Sequence, residues 1–269
     1  MLFATMKPMQ KYALGIIGYG DFTKVLIEYL SPYATIVVSS RQQSSDTLPD
    51  GCRFGSVAEA LAQPIIIPSI PAQFLETFFT DNHQLVNPTA LVIDVCSVKV
   101  KPLQVLETLL PTTCQLIGTH PMFGPASIRD NNGVAGLPCA LCPVRYDENT
   151  LRELRELLAD KLQLKVIDTT PEQHDKEMAY VQGLSHYIGR VMDEMQISES
   201  ELQTNAYRDL LDMKRIQGHD SWALFESIMQ ENPYALEVNA DFQRACRRVD
   251  EKIGLSQSQR SFPIPERAL

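Results

Sequence analysis

Up to about residue 168 the chain alternates short apolar runs with amphipathic stretches. Tyr12-Ala-Leu-Gly-Ile-Ile17, Ala34-Thr-Ile-Val-Val38, Pro64-Ile-Ile-Ile-Pro68, Ala90-Leu-Val-Ile-Asp94 and a run ending at Leu116-Ile117 read as five strands. Ala140 to Val144 and Leu164 to Ile167 read as two more. Helical spacing fills the gaps, from the first glycine turn to Leu30 and over 57–61, 72–79, 102–110 and 148–161. Strands separated by helices predict βαβ units and a doubly wound sheet. At Asp168-Thr-Thr-Pro-Glu the period changes. Thr170 reads as a helix N-cap, Pro171 as the first helical residue and Gln173 as the partner in a capping box. Beyond it, apolar residues recur at helical spacing over 178–195, 199–214, 221–230 and 234–253, and the tail 256–269 reads as loosely held. The expected division is therefore an α/β domain over 1–168 and an all-helical domain over 169–269. Some hundred helical residues cannot enclose a core alone, which predicts a homodimer through the second domain.

Composition narrows the class. A net charge of −9 argues against nucleic acid or an anionic membrane as partner, so an anionic ligand needs a local positive pocket. No run approaches the length of a membrane span, and residues 1–10 lack the apolar core of a secretory leader. The six cysteines are scattered, as expected for a reduced, cytoplasmic protein. Cys139-Ala-Leu-Cys142 lacks the second pair that a zinc site would need, so it reads as strand interior and no metal is expected.

Gly15-Ile-Ile-Gly18-Tyr-Gly20-Asp-Phe-Thr23 follows the first strand and opens a helix. Gly18 and Gly20 let the backbone turn and approach a pyrophosphate, and Asp21 and Phe22 begin a helix whose N–H groups face it. This is the fingerprint of a Rossmann-type dinucleotide site, with Thr23 in place of the third glycine and looser helix packing expected there. The second strand ends in Ser39-Ser40-Arg41, with no acid in reach for a ribose 2′-hydroxyl. Hydroxyls and a guanidinium suit a 2′-phosphate, which predicts NADP. Three further constellations lie where ligands bind such sheets: Asp94-Val-Cys-Ser97-Val-Lys99, the turn Gly118-Thr-His120-Pro-Met-Phe-Gly-Pro125, and His174-Asp175 with Gln182 and His186 downstream. Asp175, Gln182 and His186 are spaced seven and four apart and so are expected on one helix face; His174 by itself reads as a local cap.

Together, Asp94-x-x-Ser97-Val-Lys99, His120-Pro-Met-Phe-Gly-Pro125 and His174-Asp175-x-x-Met178-Ala179-x-x-Gln182-x-Leu184-x-His186 resemble the prephenate/arogenate dehydrogenase family of tyrosine biosynthesis. The resemblance runs from about residue 12 to about residue 250. The turn and Gly136-Leu-Pro138 are most similar to plant and cyanobacterial arogenate enzymes. It implies oxidative decarboxylation of a cyclohexadienol: hydride leaves C4 for the nicotinamide, the C4 hydroxyl loses its proton and carbon dioxide departs. It assigns the proton acceptor to His120, a hydroxyl-holding role to Ser97, and the substrate pocket to His186 and Gln182. It also implies a cation for the substrate carboxylate, either Arg215 or Lys214 in Lys214-Arg215-Ile216. Where relatives often carry an acid after the Gly-Pro of the turn, this chain has Ala126. Another NADP-linked reductase, or a non-catalytic NADPH sensor, are the alternative readings; neither needs Ser97 and His120 together.

Overall fold

A computed structural model describes residues 11–41, 46–218 and 220–255. The tail 256–269, the segment 1–10 and His219 lie outside them. Eight strands form one sheet: β1 (Tyr12–Ile17), β2 (Ala34–Ser39), β3 (Cys52–Phe54), β4 (Ile65–Pro68), β5 (Leu91–Asp94), β6 (Gln115–Pro121), β7 (Pro138–Arg145) and β8 (Lys165–Asp168). Their spatial order is β3-β2-β1-β4-β5-β6-β7-β8. The first six run parallel; β7 pairs antiparallel with β6, and β8 follows β7. The α/β expectation holds, with two corrections. Three-residue β3 is too short to stand out in the sequence, and β6 continues through His120 instead of stopping at Ile117. The extension comes from pairing with β7, which matches His120 to Ala140.

Period-two sorting explains why the strands read as unbroken apolar runs. Ile16, Ile36, Val38, Ile93 and Ile117 pack on one face of the sheet, whereas Ile17, Val37, Val92 and Leu116 pack on the other. Both faces are covered, so neither side of a strand can be polar. The same alternation separates Cys139 from Cys142, which join different clusters on opposite faces, each with burial pushing its thiol up to about 12.

The covering helices are α1 (Asp21–Leu30), α2 (Val57–Leu61), α3 (Leu75–Asn82), α4 (Val100–Leu109), α5 (Pro125–Asp130) and α6 (Glu148–Glu156). A capping box between Ser56 and Glu59 starts α2. That helix ends so close to β1 that a Cβ on Gly15 would lie 1.9 Å from the Ala60 carbonyl oxygen, which is why a glycine interrupts the first strand. After β8 come α7 (Pro171–Met178), a π-helical turn over Ala179–Leu184, α8 (Ser185–Glu194), α9 (Asn205–Gly218), α10 (Trp222–Glu231) and α11 (Ala235–Lys252). Thr170 caps α7 by accepting from the Gln173 N–H at 3.2 Å, with Pro171 in the first turn. The capping box is only half made, because the Gln173 amide turns away to Glu177. No helix among the described residues is long and apolar enough to cross a membrane.

Candidate active site at the carboxyl ends of the strands

Strand order reverses between β1 and β4, and there the glycine turn sits. Gly18 has φ +103°, and a Cβ on it would approach the Ser69 carbonyl oxygen to 2.3 Å, so the position requires glycine twice over. A Cβ on Gly20 would meet nothing within 4 Å. Gly20 also caps α1 without any side-chain hydrogen bond, leaving the first-turn N–H groups of Asp21 and Phe22 pointed past it. Open space in front of a helix N-terminus at the switch point fits a pyrophosphate. Thr23 corrects the expectation of loose packing: it is fully buried and its hydroxyl donates to Ser69 Oγ at 2.9 Å. Ser39 is buried beneath the turn, its carbonyl accepting from the Gly18 N–H at 2.8 Å, with Ser40 half-buried and Arg41 exposed beyond it. An acid does reach this turn. Asp46 accepts from the Tyr19 hydroxyl at 2.8 Å and lies 3.5 Å from Lys24 Nζ, from a position too far along the chain for the strand-end rule to identify.

One strand pair over, a polar network is fully buried. Lys99 and Asp94 form an ion pair with both side chains at 0% exposure. Lys99 Nζ also donates to the Thr119 carbonyl at 2.7 Å, and the Thr119 hydroxyl donates to the Asp94 carbonyl at 2.9 Å. This cross-bracing ties the loop after β5 to the strand carrying His120. Ser97 is half-buried in that loop. His120 is 3% exposed, and Nδ1 lies 2.8 Å from His174 Nε2. His174 Nδ1 in turn lies 2.7 Å from Asp175 Oδ1. Both Asp175 carboxylate oxygens accept backbone N–H groups at the start of α4, from Lys99 and from Val100, each at 2.8 Å. Burial first, then the nearness of His174 and Lys99, hold His120 well below the usual imidazole range, so its ring is neutral at neutral pH.

The helical domain contributes a second cluster. Gln182, His186 and Arg190 recur every four residues along the π turn and α8, on one face. His186 is buried and held down to about 4 by desolvation and by the Arg190 charge, so its 3.6 Å approach to Asp220 is not an ion pair at neutral pH. The Arg190 guanidinium lies 5.3 Å from the Trp222 ring centroid and 5.7 Å from that of Phe225, and donates to the Asp220 carbonyl at 2.5 Å. Gln182 Oε1, His186 Nδ1 and Arg190 Nε are all buried without a hydrogen-bond partner among the described residues. Buried polar atoms on one face without protein partners mark a place for a polar ligand.

Several expected residues are not brought together. Asp175 does not join the Gln182 and His186 face: the π turn between them resets the helical phase, and the α4 amides hold its carboxylate. Arg215 is exposed and pairs with Asp212 on its own helix, while Lys214 bonds the Ile197 carbonyl at 2.9 Å and faces Asp193. Among the described residues, neither has a hydrogen bond or ion pair with His120 or His186. Arg190 is a cation that does stand beside His186; its signal in the sequence is the four-residue step beyond that histidine. His174 is no local cap, since Thr170 performs that task. An apolar cavity of about 250 Å³, lined by Leu14, Ile65, Leu91 and Leu154, opens at the opposite, amino ends of the strands and lacks this chemistry.

Fold and glycine turn together are those of a Rossmann-type dinucleotide-binding domain followed by a helical domain. Comparison with known proteins narrows this. Residues 42–167 match the prephenate dehydrogenase nucleotide-binding domain and residues 170–262 match the prephenate dehydrogenase dimerization domain. The chain belongs to the prephenate/arogenate dehydrogenase family. Arogenate dehydrogenase 2, chloroplastic, of Arabidopsis thaliana is 28% identical over 236 residues, 83% of this chain and 65% of that protein. A probable arogenate/prephenate dehydrogenase of Methanocaldococcus jannaschii is 28% identical over 197 residues, 70% of this chain and 43% of its own. The chain thus spans less than two thirds of the length of these relatives. Among solved structures, Synechocystis arogenate dehydrogenase superposes with a TM-score of 0.65 at 22% identity, covering 90% of this chain and 92% of that one. Prephenate dehydrogenase from A. aeolicus, in complex with hydroxyphenyl propionate and NAD+, gives 0.68 at 17%, covering 92% of both. These structural likenesses speak for the fold.

Proposed function

We propose that the protein oxidatively decarboxylates L-arogenate, and prephenate less well, with NADP+, as a homodimer joined through its helical domain. The observation that carries this reading is the buried His120 at the carboxyl end of β6, on the same edge of the sheet as the glycine turn after β1. A bound nicotinamide coenzyme would supply the hydride acceptor for substrate C4. Gly18, Gly20 and the α1 amides of Asp21 and Phe22 hold its pyrophosphate, and Ser39, Ser40 and Arg41 hold the 2′-phosphate.

The protein's own residues manage proton and charge. His120 accepts the C4 hydroxyl proton, and a neutral ring is the form that can do so. Ser97 steadies that hydroxyl from the loop after β5. Arg190, with His186 and Gln182 on the same helix face, binds the substrate's carboxylate end. Its planar fork, ordered against Trp222 and Phe225, suits a carboxylate better than a flexible lysine does. Loss of carbon dioxide follows from aromatisation of the ring and requires no further acid. The preference for arogenate rests on the turn Gly118-Thr-His120-Pro-Met-Phe-Gly-Pro125, on Gly136-Leu-Pro138, and on the relatedness to the Arabidopsis protein.

Asp46 beside Tyr19 of the glycine turn favours a second coenzyme reading, NAD+, because a carboxylate brought to the ribose there would repel a 2′-phosphate. One assay tests both: each coenzyme with each substrate, followed by absorbance of the reduced form. The expected order is NADP+ over NAD+ and arogenate over prephenate in kcat/KM. Reduction of neither coenzyme by either substrate overturns the reading, and a higher kcat/KM with NAD+ overturns its coenzyme half.

A further inference from the structure

His174 and Asp175 come from the helical domain, yet they form a line that ends on His120 Nδ1. Proton placement along this line is determined by counting donors. Both oxygens of Asp175 accept from the Lys99 and Val100 amides, so the carboxylate can only accept from His174 as well. His174 Nδ1, 2.7 Å away, must then be the donor. In a neutral imidazole one nitrogen donates and the other accepts, so His174 Nε2 carries a lone pair. At 2.8 Å it accepts from His120, whose Nδ1 therefore holds the proton. His120 Nε2 is left with its lone pair free, the form that a proton acceptor needs.

We infer that His174 and Asp175 are positioning residues that lock His120 in its Nδ1–H tautomer, through a carboxylate anchored on the N-terminus of α4. Neither need touch substrate. The line crosses the seam between the domains: α4 belongs to the sheet half and α7 to the helical half, and Asn232, just past the end of α10, secures the far side by donating to the Asp175 carbonyl at 2.8 Å. The base is competent only while that seam is closed. Were the His174 ring reversed or lost, His120 could carry its proton on Nε2 and would then meet the substrate hydroxyl as a donor.

This rests on the dehydrogenase reading for its kinetic arm only; the tautomer is read in the resting protein. Nitrogen-15 NMR of the wild-type chain, with five histidines to assign, should find His120 protonated on Nδ1. His174→Phe should lower kcat about 100- to 1,000-fold, while KM and coenzyme Kd stay within about threefold. His174→Gln, whose amide oxygen can accept from His120 Nδ1, should recover kcat to within about tenfold of wild type. A merely structural role would raise KM and coenzyme Kd together and would not be rescued by glutamine. An Nε2–H tautomer in the wild type, or a kcat within threefold in His174→Phe, overturns the inference. If His174→Phe fails to fold, the wild-type tautomer and the glutamine variant decide. A wild type inert toward both substrates but showing the Nδ1–H tautomer would sink the function and keep the lock.

Discussion

Two polar regions meet along one run of helix from α7 to α8, and they are built to opposite rules. On the α4–α7 side the buried charges are matched: Lys99 with Asp94 and Thr119, and Asp175 with two amides and His174. On the α8 face, Gln182 Oε1, His186 Nδ1 and Arg190 Nε are buried without partners among the described residues. A satisfied network rigidifies its members, whereas an unsatisfied one costs stability that a ligand can return. On the proposed function the contrast is a division of labour: one side holds a base in place before anything binds, and the other side is finished by what binds.

If that contrast is right, the matched side should fail in stability and the open side in affinity. The largest effect is expected at Lys99. Lys99→Met leaves the buried Asp94 carboxylate without its cation, still accepting from the Cys96 N–H at 3.2 Å, which should cost about 3 to 5 kcal/mol by urea unfolding. A loss under about 1 kcal/mol would mean that the pair is not the brace described here.

Acid should expose the open side next. His186 is held at about 4 in the folded chain against 6.5 when free. Because the folded form is the weaker proton binder, the unfolded chain takes up the proton first. Stability is therefore intact above pH 6.5 and falls as pH drops toward 4, by up to about 3 kcal/mol. His120 is shifted the same way and adds to the loss. Thermal unfolding from pH 7.5 to 4.5 measures it, and His186→Gln should flatten the slope; an unchanged slope contradicts the buried, neutral assignment.

The smallest effect in free energy separates two arginines. Arg190→Leu should raise substrate KM about 30- to 100-fold, the worth of a charged hydrogen bond or two, with coenzyme binding unchanged. Arg215→Leu should leave KM within about twofold, since Arg215 is exposed and occupied with Asp212. The reverse result would return the carboxylate to the residue that motif order alone indicated.

Much of this was readable from the chain, and the exceptions share a cause. The glycine turn, the strands and the Thr170 cap are local patterns, written in consecutive residues with a fixed period. His120 was legible because it follows an apolar run at the end that binds ligands. His174 and Asp175 were visible as letters but not as a line to His120, because the partners lie 54 residues apart and meet only when α7 docks on α4. Arg190 was hidden for a related reason: its value comes from Trp222 and Phe225 on another helix. The π turn over Ala179–Leu184 has no strong sequence signature, and so the spacing argument joined Asp175 to a face that it does not share. Asp46 escaped because it stands outside any strand or helix and meets Tyr19, 27 residues earlier, only in the folded chain.

The central claim is that His120 takes the hydroxyl proton as hydride leaves. Its most direct test is a single-turnover measurement: NADP+ bound to His120→Asn, mixed with arogenate, and reduced coenzyme followed by stopped flow. The account predicts a rate about 1,000-fold below wild type with NADP+ Kd unchanged. A rate within tenfold of wild type at the same coenzyme affinity would contradict it.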